Sequence, residues 1–172
     1  MTTSNDTYTR LIDLLERHGV PYRLIDHAPE GRTEIVSAMR GHDLTLAAKC
    51  MVVMVKVGRK VTRHVLAVVP GHAKVDLNAI KELMSGTYVS FTSPDIAESL
   101  SGSVAGTILP FAFHSGIDLL VDPAVLERDE MFFNAARLDR SMALKTRDYM
   151  KVANPRIAPI ATYRTSSDTF NP

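Results

Sequence analysis

Apolar residues recur at helical spacing from residue 7 to 18. Tyr8, Leu11, Ile12 and Leu15 share one face, with Leu14 and His18 beside it, and Gly19 and Pro21 end the predicted helix. The pattern then shortens. Residues 22–26 read as a short strand and Pro29-Glu30-Gly31 as a loop, and Thr33 is placed to cap a short helix through Met39 that Gly41 ends. Two β-like runs follow, 49–57 and 61–69, joined at Gly58-Arg59-Lys60 as a hairpin. Asp76 precedes a helix that turns Leu77, Ile80, Leu83 and Met84 inward and stops at Gly86. Residues 88–91 predict a strand, and Ser93-Pro94 starts a helix through about Leu100. Strands are expected at 107–113, 117–121, 131–134 and 141–144, with one helical turn at Asp122-Pro123. Thr146 is placed to cap a last helix to about Ala153, and residues 165–172 form a polar tail expected to be loose.

Strands and helices interleave without a regular βαβ rhythm, and hairpins sit in the middle. That order predicts an α+β fold with a mixed, curved sheet rather than a doubly wound parallel one. No repeat or linker divides the 172 residues, so a single domain with its core at about 20–155 is expected.

Composition adds limits. Hydrophobic residues make up 45% and charged residues 23%, enough apolar surface for a core. The single cysteine, Cys50, cannot form an internal disulfide. The first residues lack the basic-then-apolar order of a secretion signal, and the apolar runs are too short to span a bilayer, so a cytoplasmic place is expected. Net charge is +1, which argues against a protein coating long nucleic acid. The charges are unevenly placed. Six Lys/Arg and no acid lie between Leu44 and Val75, which describes either a face that attracts a polyanion or a solvated basic hairpin.

Several chemistries are excluded by spacing. The six histidines are never paired at i, i+3 or i, i+4, and Cys50 is alone, so no zinc site is expected. No phosphate-binding P-loop, dinucleotide fingerprint or Gly-x-Ser-x-Gly elbow is present. Two features remain. Lys49 opens a strand that is apolar on both faces, so its ammonium either snorkels to water or needs an anion or an open cavity. Gly102-Ser103-Val104-Ala105-Gly106 is either a plain tight turn or a cradle whose N–H groups converge on a carbonyl oxygen or phosphate.

Taken in order along the chain, these features resemble the YbaK/ProX family, free-standing relatives of the editing domain inserted in prolyl-tRNA synthetase. The resemblance is carried by His27 with Thr33-Glu34, by Ala48-Lys49 before a β run, and by 66–71 with Lys74-Val75-Asp76-Leu77. It continues through the 102–106 loop with Pro110, Asp122-Pro123 and Phe133-Asn134-Ala135-Ala136. Residues 110–114 and 133–141 are most similar to the YeaK-like branch. At Ala135-Ala136 the chain departs from the wider family, where many members carry Gly-Ala.

The resemblance implies a bent mixed sheet approaching a barrel, with helices around it. It implies a trans-acting deacylase that hydrolyses the ester of mischarged aminoacyl-tRNA in a cleft for the 3′ CCA end, with no cofactor or metal. It also implies the roles. Lys49 and the loop Gly102, Ser103, Val104, Ala105 and Gly106 would be catalytic, the loop N–H groups stabilising the oxyanion and Lys49 holding the terminal phosphate or adenosine. His27, Thr33, Pro110, Asp122 and Asn134 would contact substrate. The alternative is a module that binds a nucleotide or tRNA end without hydrolysis, or a partner of a synthetase.

Overall fold

A computed structural model of the chain describes residues 4–163. The first helix, α1, runs Ser4–Arg17 and buries Leu11 and Leu15 completely. Strand β1 (Tyr22–Asp26) and helix α2 (Thr33–Arg40) follow. Thr33 is the first helical residue and not the cap: the N-cap is Arg32, with no side-chain hydrogen bond, while Gly41 ends the helix in the left-handed region.

The central hairpin is β2 (Ala48–Val57) and β3 (Val61–Pro70), paired antiparallel with Lys49 opposite Val69. A two-residue strand β4 (Lys74–Val75) leads into α3 (Leu77–Leu83), capped by Asp76, whose carboxylate accepts from Ala79 N–H. Strand β5 (Tyr88–Phe91) returns to β2, and α4 (Pro94–Ser101) starts at Ser93 as its cap. Residues 107–113, expected as a strand, run without regular pairing to β6 (Ile117–Val121). Their alternating apolar residues imitate a strand, but Pro110 has no N–H to give a ladder. The Pro110 carbonyl instead accepts from buried Tyr149 at 2.6 Å.

Asp122 caps the 3-10 turn Pro123–Glu127, and the hairpin β7 (Glu130–Asn134) and β8 (Arg140–Lys145) comes next. Helix α5 (Thr146–Ala153) is not capped by Thr146. That hydroxyl donates to the Arg128 carbonyl at 2.6 Å, tying the helix to the 3-10 turn's exit. Short strands β9 (Arg156–Ile157) and β10 (Ala161–Thr162) close the described chain, and the expected loose tail lies outside the described residues.

The strands form a five-stranded sheet, β5-β2-β3-β6-β9, a three-stranded sheet, β1-β8-β7, and the pair β10-β4. β3–β6 and β6–β9 are parallel and the other pairs antiparallel, so the sheet is mixed as expected. One bridge, Ala47 to Phe132, links the two larger sheets, and the strands do not close into a barrel among the described residues.

The large sheet is buried on both faces. Val52, Leu66, Val68 and Val121 pack with Leu11, Phe133, Met142 and Tyr149 on one side. Val53, Val55, Val65, Ala67 and Val69 pack with Ile80 and Ile160 on the other. Two-sided burial is why β2 and β3 read as continuous apolar runs. Lys49 enters at the end of such a strand, where β2 leaves the core.

Candidate active site

A cavity of about 380 Å³ opens between the start of β2, helix α2, the 102–106 loop and the end of β7. Thr33, Lys49, Ala105, Gly106 and Asn134 line it, and so do Arg40 and Phe91. Two halves of the expected chemistry, the Lys49 amine and the glycine loop, therefore share one hollow.

The loop's shape follows from its two glycines. Gly102 and Gly106 hold φ of 70° and 85°, a region that favours glycine. Gly102 caps α4 by donating its N–H to the Glu98 carbonyl, and its own carbonyl accepts from Thr7 Oγ1 at 2.7 Å. Ser103 N–H is spent on Ser101 Oγ, and Thr107 N–H on the Val104 carbonyl. The N–H groups of Val104, Ala105 and Gly106 make no hydrogen bond among the described residues, and Ala105 and Gly106 face the cavity. The cradle is thus narrower than expected. Gly102 and Ser103 spend their N–H groups within the loop and its helix, Val104 does not line the hollow, and Ala105 and Gly106 line it with their N–H groups unspent among the described residues. The Ser103 hydroxyl is buried with no hydrogen-bond partner among the described residues, and Ser103 does not line the hollow.

Gly31 fixes the loop from the opposite side. A Cβ on Gly106 would lie 2.7 Å from Gly31 Cα, so the two backbones touch. Asn134 closes the contact: its Nδ2 donates to the Gly106 and Glu30 carbonyls, each at 2.9 Å. Its Oδ1 accepts from Ser141 Oγ at 2.9 Å, which fixes the amide's orientation. His27 Nε2 lies 2.7 Å from the same Ser141 hydroxyl.

The other sequence-derived candidates divide. Thr33 lies in the cavity wall at the start of α2. Asn134 is in the wall but acts mainly as the staple of the loop. His27 supports that staple from outside the cavity lining. Pro110 is buried, its carbonyl held by the Tyr149 hydroxyl, and it does not line the hollow. Asp122 is structural: one carboxylate oxygen accepts from Ala124 N–H, and the other from Ile160 and Ala161 N–H at 2.9 and 2.8 Å. These two are brought to other parts of the fold, so a direct substrate contact is not what their positions offer.

Electrostatics marks the wall as cationic. Burial holds the Lys49 ammonium below its ordinary pKa, partly offset by the Glu34 carboxylate and added to by Lys74. Arg32 is closed by Glu30 at 2.8 Å. Burial raises the Cys50 thiol well above its usual range, so a thiolate nucleophile is not available near neutrality. Among the described residues no group of three metal-binding side chains occurs.

Sequence reasoning missed Arg40, Ser141, His42 and Gly31. Arg40 is half-buried in the wall and donates to His42 Nε2, Ser141 Oγ and Ser37 Oγ. Its partner Ser141 is 101 residues away, beyond any local pattern.

The chain is similar to known proteins. The aminoacyl-tRNA editing domain family matches residues 27–152. The chain is 40% identical over 158 residues to an Escherichia coli protein named multifunctional Ser/Thr-tRNA deacylase ProXp-y, covering 91% of this chain and 94% of that one. The same protein from a second Escherichia coli strain matches equally. The crystal structure of a putative trans-editing enzyme for prolyl tRNA synthetase superposes with a TM-score of 0.75 at 17% identity, covering 91% of this chain and 97% of that one. A hypothetical protein's crystal structure gives a TM-score of 0.79 at 20% identity, covering 88% of this chain and 99% of that one. At such identities these two structures speak for the fold alone.

Proposed function

The chain belongs to the aminoacyl-tRNA editing domain family, and on that premise we propose that it is a trans-acting deacylase whose reaction takes place at the cavity between Lys49 and Gly106. The observation that carries this reading is the shared hollow: a half-buried ammonium stands in the same wall as two unspent backbone donors.

The substrate is an activated ester on the terminal ribose of a mischarged tRNA. Water attacks the ester carbonyl carbon and the bond to the ribose oxygen breaks; one proton of the water ends on the ribose oxygen and the other passes to solvent. The amino acid departs as its carboxylate. The N–H groups of Ala105 and Gly106 receive the oxygen that becomes negative in the tetrahedral intermediate, where preorganised donors count most. Lys49 contributes a point charge on the terminal nucleotide, and its burial strengthens that field. Thr33 and Asn134 limit the space for the amino-acid side chain, a size sieve that admits small residues. The relative's name points to serine and threonine, and the Thr33 hydroxyl in the wall suits their side chains.

The 3′ CCA end is the part of tRNA that enters. The described residues act as one domain, because both core clusters use the same five-stranded sheet. Among the described residues no helix is long and apolar enough to cross a membrane. The protein acts where charged tRNA is found, in the cytoplasm, with an aminoacyl-tRNA synthetase as a candidate partner.

The test is incubation with a panel of mischarged tRNAs. Catalytic release of serine or threonine at substoichiometric protein supports the reading. Binding of the same tRNAs without turnover would replace it with a binding module.

A further inference from the structure

Arg40 is a cation in the cavity wall with no carboxylate beside it. Among the described residues it forms no ion pair, whereas Arg32 in the same wall is closed by Glu30. Its orientation is nevertheless fixed. Nε donates to His42 Nε2 at 2.8 Å, Nη1 to Ser141 Oγ at 3.1 Å, and Nη2 to Ser37 Oγ at 3.3 Å. His42 is in turn held by the Asp43 carbonyl at 2.8 Å and stacked on Phe132 with centroids 3.9 Å apart. A guanidinium has five N–H donors, so one on each terminal nitrogen stays unspent. Burial lowers its pKa to about 10, which leaves it cationic near neutrality.

A half-buried cation with no counter-charge is costly to keep. Ser37, Ser141 and His42 would be served equally by a neutral donor. The positive charge and the two free N–H groups fit an anion with paired oxygens, which a planar fork binds well. An aminoacyl-tRNA has no free carboxylate; its anionic groups are phosphodiesters. Within the deacylase reading above, on which this rests, we propose that Arg40 binds the phosphate of the substrate's terminal nucleotide, forming a two-cation subsite with Lys49.

The subsite is tested by equilibrium binding of adenosine 5′-monophosphate and adenosine to the full chain. The wild type is expected to prefer the monophosphate on the order of tenfold, the size of a charge-assisted contact. Arg40→Met should cut that preference to below about threefold while leaving adenosine affinity nearly unchanged. Arg40→Lys keeps the charge but loses the fork, and should fall between the two. An unchanged preference in Arg40→Met, or no preference in the wild type, overturns the proposal. If Arg40→Met does not fold, Arg40→Lys decides: an unchanged preference there overturns it. Failure of the wild type to deacylate any mischarged tRNA would refute the enzymatic reading without altering this nucleotide preference, so the two failures are distinguishable.

Discussion

Gly106 and Gly31 meet backbone to backbone: a Cβ on Gly106 would lie 2.7 Å from Gly31 Cα and 3.1 Å from the Gly31 carbonyl oxygen. The contact pins the 102–106 loop to the segment that enters α2, and so restricts where the backbone of Ala105 and Gly106 can lie. Gly106 also holds φ of 85°, which an L side chain adopts at a cost of about 1–2 kcal/mol. Gly106→Ala is therefore expected to lose about 2 kcal/mol or more of stability in denaturant unfolding, through strain and contact together. In the fraction that remains folded, the loop is displaced from Gly31 and deacylation falls.

Asn134 ties the same two loops by a different means. Its Nδ2 reaches both the Glu30 and Gly106 carbonyls. Asn134→Ala leaves these acceptors and the Ser141 hydroxyl short of a partner and should cost about 1–3 kcal/mol. Asn134→Asp should cost more, because a carboxylate would face two carbonyl oxygens. Thermal unfolding of the two variants against wild type checks the order; Asp tolerated better than Ala would remove the staple.

His42 gives a prediction in pH. Burial lowers its pKa from the ordinary 6.5, with the Arg40 charge acting in the same direction and the Asp43 carbonyl and the Asp43 and Glu130 carboxylates opposing. Its Nε2 accepts from Arg40, so protonation there removes that bond and sets two cations side by side. In the window between the lowered folded value and the unfolded one, the unfolded chain binds more protons, so stability rises with pH. Below both values the whole penalty is felt. His42→Gln does not titrate, and its melting temperature should fall less than wild type on acidification from about pH 7 to about pH 4. Parallel curves would mean that other groups dominate the acid limb.

Much of the fold could be read locally. Asp76 and Ser93 are caps that announce themselves, and the β2–β3 hairpin follows from two apolar runs around Gly58. The two-residue strands β4, β9 and β10 are too short to carry a period, and Phe111 and Phe113 imitate strand alternation where Pro110 prevents pairing. Lys49 and the glycine loop stood out because a charge and a pair of glycines interrupt otherwise regular patterns. Arg40 did not, because an arginine at a helix end looks solvated. Only the fold brings β8 beneath it. Asp122 shows the reverse. Its turn-capping oxygen is evident from the following proline, while the oxygen that holds Ile160 and Ala161 is visible only in three dimensions.

The most direct measurement is the deacylation rate of mischarged seryl- or threonyl-tRNA by Lys49→Met, with melting temperature recorded on the same preparation. Removing a half-buried ammonium should leave the fold as stable or more stable, since its burial opposes the charged form. The rate at subsaturating substrate should fall by roughly 10-fold to 100-fold, the size of a lost charge-assisted contact to the terminal nucleotide. A folded Lys49→Met protein that releases amino acid at the wild-type rate would contradict the account.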